Sequence, residues 1–120
     1  MRSGSVMLMG GLVLAAAAAP APAQAPADFE AAAGRFAGCM VATVRMGMTT
    51  KMDPAAFEAG FARSCKAEEA AFRAAAVKQA IALGRTEAEA AAEVDGNIAR
   101  GRAIWAADQA AYVRTGKVPR

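Results

Sequence analysis

The sequence predicts an all-α fold, a three-helix antiparallel bundle with up-down-up topology, built on a helical hairpin that one disulfide staples. Three observations support this prediction. Three alanine-rich stretches carry large apolar residues every three or four positions, which is the spacing of amphipathic helices. The turns between these stretches are short, so consecutive helices should run antiparallel. Each of the first two stretches also contains one of the two cysteines of the chain.

The first predicted helix spans about residues 28–46. Asp28 is a suitable N-cap, because its side chain can accept a hydrogen bond from a free backbone N–H group of the first turn. Gly34 and Gly38 lie inside this helix and weaken it by about 1 kcal/mol each relative to alanine. The apolar side of the helix carries Phe29, Phe36, Met40, Val44 and Met48.

The second predicted helix spans about residues 54–83. Asp53 followed by Pro54 is a strong start signal, since proline lacks the N–H group that would be unpaired at the first helical position. Glu69 and Arg73 are four residues apart and are expected to form a solvated ion pair on one flank of this helix. Its buried stripe is expected to contain Phe57, Phe61, Cys65, Phe72 and Ala76.

The third predicted helix spans about residues 87–115. Thr86 and Glu89 have the spacing of a capping box, in which each side chain accepts a hydrogen bond from the backbone N–H of the other residue. Gly116 is a typical left-handed stop. The expected apolar stripe, interrupted by Asp108, consists of Val94, Ile98, Gly101, Trp105 and Tyr112.

The two cysteines are expected to form one intramolecular disulfide. Cys39 and Cys65 are 26 residues apart, in the two arms of the predicted hairpin, and no third cysteine competes for either of them. A loop of this length stabilises a small domain by about 3 to 4 kcal/mol in the chain-entropy model. The sequence has no Cys-x-x-Cys motif and no histidine to activate a thiolate. An intermolecular bridge or free thiols are the remaining possibilities.

Residues 1–23 have the three parts of a secretory signal peptide. Arg2 supplies the positive start, residues 6–19 form an uncharged apolar run, and an Ala-x-Ala pattern ends at Ala23. The apolar run is shorter than the roughly 20 residues of a membrane span. These features predict export to the periplasm or secretion, with cleavage near Ala23 and no stable membrane span afterwards.

After cleavage, residues 24–27 are expected to form a flexible N-terminus and residues 28–120 a single helical domain. Removal of Arg2 leaves 13 basic and 11 acidic residues, a net charge of +2. This balance does not indicate binding to nucleic acid.

Four methionines around the first predicted turn are a candidate metal site. Met40, Met46, Met48 and Met52 offer soft thioether sulfurs, which prefer Cu(I) or Ag(I). Methionine also fills irregular gaps beneath a helix bend, and neither histidine nor a further cysteine accompanies the cluster. No cofactor is therefore expected, with copper as the alternative.

The basic end and the two large aromatic residues of the third helix are a candidate partner contact. Arg100, Arg102 and Arg114 follow an acidic helix start, and Trp105 and Tyr112 lie seven residues apart on one face. An acidic partner or an anionic surface fits the basic end. The helix macrodipole alone also explains this order of charges, and the aromatic residues also suit a core.

The sequence gives no indication of catalysis. Glu68 and Glu69 are adjacent, so their side chains diverge by about 100° around a helix and cannot converge on one substrate. Ser64 has no histidine to activate it. Phosphate-binding glycine loops and zinc-ligand spacings are also missing from the sequence. We therefore expect a protein that is not an enzyme.

Phe57, Phe61 and Cys65 form an F-x-x-x-F-x-x-x-C run. Together with the signal peptide and the alanine- and arginine-rich hairpin with two cysteines, this run resembles uncharacterised small exported α-helical proteins of alphaproteobacteria. The resemblance covers most of the mature chain. It implies an exported helical hairpin, and it implies no activity, cofactor or site residue.

These observations favour a periplasmic or secreted helical protein that binds a protein partner or self-associates, as an envelope interaction or stress-accessory module. Soft-metal binding through the methionines is the alternative. A third possibility is a structural or inhibitory module, for instance one directed against a wall-degrading enzyme.

Overall fold

The computed structural model describes residues 27–120, so the predicted signal peptide and its cleavage site lie outside the described residues. Residues 27–120 form four α-helices and contain no strand. The all-α prediction is therefore confirmed, whereas the prediction of three helices is wrong. The helices are α1 (Ala27–Thr49), α2 (Pro54–Phe61), α3 (Lys66–Ala82) and α4 (Glu87–Thr115).

Helix α1 continues to Thr49, three residues beyond its predicted end. Gly47 does not interrupt the helix but is buried within it. Added at Gly47, a Cβ atom would lie 2.5 Å from Cε2 of Phe57 and 3.3 Å from Cγ of Gln109. Glycine is therefore used here for close packing of α2 and α4 against α1, and not as a helix stop.

The bend between α1 and α2 covers residues 50–53. Lys51 adopts a left-handed conformation with φ 49°, and the Met52 N–H donates to the Gly47 carbonyl at 3.0 Å. Asp53 then caps α2, because its carboxylate accepts a hydrogen bond from the Ala56 N–H at 3.1 Å. The predicted start of this helix at Pro54 is confirmed.

The predicted second helix is interrupted at residues 62–65, which separate α2 from α3. Cys65 has φ 58° and ψ 32°, a left-handed conformation that an α-helix cannot contain. The interruption comes from tertiary contacts, since Cys65 is bonded to α1 while its neighbours in sequence favour helix. The single helix over residues 54–83 is thus a wrong prediction with a tertiary cause.

The Cys39–Cys65 disulfide is confirmed. The two Cα atoms are 5.9 Å apart, and the bond joins α1 to the residue that precedes α3. Phe29 and Phe72 lie near the other end of this helix pair, with ring centroids 5.9 Å apart. Helices α1 and α3 therefore run side by side in opposite directions.

Helices α3 and α4 are also antiparallel, and two ion pairs join them. Arg73 contacts Asp95, with Nε 2.6 Å from Oδ1, and Glu69 contacts Arg102. The predicted pair between Glu69 and Arg73 is wrong, because each side chain reaches across to α4. Since α1 and α4 both run opposite to α3, they run in the same direction.

The core lies between α1, α2 and α4. Its fully enclosed members come from the predicted stripes of the first two helices, and Met48, Phe72, Ile98 and Trp105 pack against them while remaining partly exposed. At the start of α4, the Glu89 N–H donates to the Thr86 hydroxyl at 3.2 Å, as the capping-box spacing predicts. The enclosed cluster is Phe36, Met40, Val44, Phe57 and Phe61.

Candidate functional site

An open apolar groove runs between the parallel helices α1 and α4. It has two parts, of about 320 and 420 Å³, and Trp105 lines both of them. Within residues 27–120, α2 contributes no lining residue and α3 contributes only Phe72, and both parts are open to solvent. We call the two parts together the α1/α4 groove. The first part is lined by Ala33, Phe36, Ala37, Met40, Phe72, Asn97, Ile98, Gly101 and Trp105, and the second by Val41, Val44, Arg45, Met48, Thr49, Trp105, Asp108, Tyr112 and Val118.

The α4 side of the groove follows from helical spacing. Gly101, Trp105, Asp108 and Tyr112 succeed one another at intervals of four, three and four residues, which places them on one face. Trp105 and Tyr112 are partly buried, and both line the groove. The two predicted aromatic contacts therefore line one open surface.

The second part of the groove carries both of the charges found along the lining. Arg45 comes from α1 and Asp108 from α4, and the remaining lining residues there are apolar or neutral. The groove is thus an apolar surface with a few polar groups at its edge, as in clefts that bind amphipathic helices.

Arg102, one of the predicted partner contacts, lies instead in the interior of the bundle. Its side chain is 12% exposed, and it donates to the carbonyl oxygens of Phe61 at 2.5 Å and Ser64 at 2.8 Å. Its guanidinium also lies 5.7 and 5.2 Å from the ring centroids of Phe36 and Phe61. Arg102 therefore satisfies the Ser64 carbonyl and adds a donor to the Phe61 carbonyl, which also accepts from Ser64.

The same guanidinium binds the Glu69 carboxylate, with Arg102 Nε 2.9 Å from Oε2. Burial of the carboxylate acts to raise the pKa of Glu69, but the hydrogen bonds and charge of Arg102, aided by Lys66, outweigh burial. The pKa of Glu69 is consequently held below its usual 4.5. This ion pair is a structural element of the helix junction.

The other two predicted basic contacts are exposed. Arg100 donates to the side chain of Asn97, one turn earlier in α4, and Arg114 lies in the last turn of the same helix. Neither arginine lines the α1/α4 groove. The predicted contact residues thus divide into groove residues, a buried arginine and two surface arginines.

The four methionines of the candidate metal site lie on different faces. Met40 is buried in the core, and Met48 lines the second part of the groove. Met46 is 61% exposed and Met52 is 39% exposed. Met46 and Met48 are separated by about 200° around α1, so their sulfurs point in different directions.

The one close group of ligand-type side chains within residues 27–120 is Cys39, Cys65 and Glu68, whose sulfur and carboxylate atoms lie within 4.8 Å of one another. Both sulfurs are consumed in the disulfide. The group therefore offers a single carboxylate and does not make a metal site.

Gln109 is a structural residue that the sequence did not reveal. It is fully buried, and its amide donates to the carbonyl oxygens of Gly47 at 3.2 Å and Met52 at 2.8 Å. Asp108, the predicted polar interruption of the stripe, is only half-buried. The available signal was that Gln109 lies one turn after Trp105, on the buried side of α4.

Comparison of the chain with protein-family models, with curated proteins and with solved structures found no match. Among the helices described, none combines the length and the apolar character that crossing a membrane requires.

Proposed function

We propose that this chain is an exported helical protein without enzymatic activity, which binds a protein partner at the cell envelope through its α1/α4 groove. The observation that carries this proposal is the groove itself, an apolar channel with Trp105 at its centre and no covering helix among residues 27–120. Tryptophan and tyrosine are the side chains most often found at the energetic centre of protein interfaces.

The rigidity of the groove supports the same function. Its two walls are held at fixed separation because α1 is bonded to the start of α3, and α3 is joined to α4 by the Glu69–Arg102 ion pair. A preformed groove loses little conformational freedom when a partner binds, which favours affinity. Export is supported by the signal-peptide pattern of residues 1–23 and by an internal disulfide, which persists in an oxidising compartment.

We propose no copper site. Three sulfur ligands would have to meet at one point, and the methionines of α1 lie partly in the core, partly in the groove and partly on the opposite surface.

The proposed function is tested by photo-crosslinking in the periplasm of the expressing cell. A crosslinking amino acid at Val41, which lines the groove and is 41% exposed, is expected to give adducts. The matched control is the same amino acid at Ala70, an exposed position of α3 that lines no groove. The Val41 adducts should be lost when Trp105 is changed to Asp. Equal adducts at Val41 and Ala70, or adducts that survive Trp105→Asp, would exclude the groove as the binding surface.

A further inference from the structure

We propose that the occupant of the α1/α4 groove is a second copy of this chain, packed antiparallel about a two-fold axis so that each α1 lies against the other. This inference rests on the proposed function, because it names the partner of the same surface. Three observations carry it: the charges along the outer row of α1, the small residues at the centre of that row, and the area available.

The outer row of α1 borders the groove. Its members follow at intervals of four, three, one, three and four residues, which keeps them on one side of the helix. All of them are exposed in the single chain. The row consists of Glu30, Gly34, Ala37, Gly38, Val41 and Arg45.

The charges of this row are complementary to those of the same row in a second, antiparallel copy. Glu30 and Arg45 lie at its two ends, about 22 Å apart along the helix axis. The midpoint falls between Ala37 and Gly38. A two-fold axis at that midpoint places Glu30 of each copy opposite Arg45 of the other, so two ion pairs form. A parallel arrangement would instead bring like charges together, and this difference selects the antiparallel one.

The centre of the row is built for close approach. Added at Gly34 or Gly38, a Cβ atom would have no neighbour within 4 Å. Packing within the chain therefore does not require glycine at either position, although glycine disfavours the helix relative to alanine. In the two-fold arrangement Gly34 faces Val41 of the second copy, and Ala37 faces Gly38. The missing side chains leave room for the second helix.

The area is sufficient for a stable dimer. Helix α1 has 23 residues and is therefore about 35 Å long, and α1 and α4 side by side are about 20 Å wide. The face measures about 700 Å², close to the roughly 800 Å² per partner of a standard interface. Its apolar content includes Val41, which lines the groove and is 41% exposed.

The test is sedimentation equilibrium on oxidised residues 24–120 over a wide range of concentrations. The wild-type chain is expected to form a dimer without an intermolecular disulfide. Gly38→Leu should weaken the dimer at least about tenfold, because the leucine side chain blocks the approach of the second helix. Gly38 has open space around it in the single chain, so circular dichroism should show an unchanged or more stable fold. Ala70→Leu is the matched control and should leave the dimer affinity unchanged.

Charge reversal tests the orientation. Glu30→Arg or Arg45→Glu alone should each weaken the dimer about tenfold, since both ion pairs become repulsive. The double variant should recover most of the affinity, because the two pairs re-form with their charges exchanged. A strictly monomeric wild type would overturn the inference. The inference would also be overturned if Gly38→Leu left the dimer affinity unchanged. A double variant with a lower dimer affinity than either single variant would overturn it as well.

The photo-crosslinking experiment separates the two proposals. Adducts at Val41 with twice the mass of the mature chain support the second copy. A monomeric chain whose groove-dependent adducts have another mass overturns the second copy and leaves the proposed function standing. A monomeric chain without groove-dependent adducts overturns both.

Discussion

The two interruptions of the helical hairpin, the bend at residues 50–53 and the break at residues 62–65, have the same construction with different chemistry. Each contains one non-glycine residue in the left-handed conformation, Lys51 in the bend and Cys65 in the break. At each, one side chain of α4 donates to two backbone carbonyl groups. The bend receives the neutral amide of Gln109, and the break receives the charged guanidinium of Arg102.

The difference lies in what else holds each interruption. The bend has local support, since Asp53 caps the next helix and Gly47 admits close packing of Phe57. The break has weaker local support, from Gly60 and from the Ser64 hydroxyl that donates to the Phe61 carbonyl, and is held mainly by the disulfide to α1 and by the ion pair with Glu69. A bend that its own sequence favours needs only weak tertiary contacts. A break that has little local support needs strong tertiary contacts.

Among the changes that test this comparison, removal of the disulfide should lower the free energy of unfolding most. Cys39→Ser combined with Cys65→Ser is expected to lower the free energy of unfolding by about 3 to 4 kcal/mol, since the 26-residue loop is no longer closed in the unfolded chain. Urea denaturation measures this change. A loss below about 1 kcal/mol would mean that the break is held without the bond.

Arg102→Met should be the next largest change. It removes the donor to the Ser64 carbonyl and leaves the Glu69 carboxylate with only the exposed Lys66 as a partner, and is expected to cost about 3 kcal/mol. Adding Glu69→Leu should recover part of the lost stability, because the part-buried Glu69 carboxylate that has lost Arg102 is then also removed. If the double variant is as unstable as the sum of the single variants, the two side chains act independently.

Gln109→Met makes the corresponding change at the bend. The side chains are similar in volume, and the carbonyl groups of Gly47 and Met52 lose a donor. The expected cost is about 1 to 2 kcal/mol, less than for Arg102→Met, because no charge is left unpaired. A larger cost than that of Arg102→Met, measured in the same urea series, would reverse the ranking of the two interruptions.

Two glycines of α1 give a matched pair of smaller changes. Gly47→Ala is expected to destabilise by about 1 to 3 kcal/mol, because the new methyl group overlaps the Phe57 ring. In the monomer at high dilution, Gly34→Ala is expected to stabilise by about 0.5 to 1 kcal/mol, because nothing within the single chain lies within 4 Å of the added atom. Thermal unfolding of the two variants compares them directly, and equal shifts would contradict the close packing at Gly47.

The smallest expected effect is the loss of stability in acid. It concerns the break alone, because Glu69 is the carboxylate that binds Arg102 there. The pKa of Glu69 is lower in the folded chain than in the unfolded one, so its contribution is complete above about pH 4.5 and is lost as pH falls through the folded pKa. Stability should therefore decline below pH 4.5, and less steeply in Glu69→Gln. Identical acid limbs in urea denaturation of the two proteins would show that Glu69 is not responsible.

The success of the sequence analysis follows the same division between local and tertiary signals. Asp53, Pro54, Thr86 and Gly116 act on their own neighbours, and the helix ends that they predict are found. The break at residues 62–65 could not be placed from the sequence, because Ala62, Arg63 and residues 66–69 favour helix and the strongest contacts that impose the break come from α1 and α4. The disulfide was predictable because two cysteines allow only one intramolecular pairing and lie in the two arms of the predicted hairpin.

The candidate site shows the same limit. Trp105 and Tyr112 were predicted to share a face, because helical periodicity is local. Arg102 is predicted to be a partner contact because it belongs to the basic end of the third helix, and only the fold reveals the carbonyl groups that it binds. The position of the groove depends on where α2 and α3 pack. The apolar stripe of α4 does not specify the packing positions of these two helices.

Arg102 and Gln109 are seven residues apart, two turns of α4, and this helix is synthesised after α1, α2 and α3. Until α4 has been made, the carbonyl groups at both interruptions have no donors from it. Helix α4 therefore completes the hairpin of α1, α2 and α3 by supplying these donors. Cys39 and Cys65 can be oxidised before α4, which holds the break in place, has been made. A chain that stops before α4 would carry the disulfide without the fold that it belongs to.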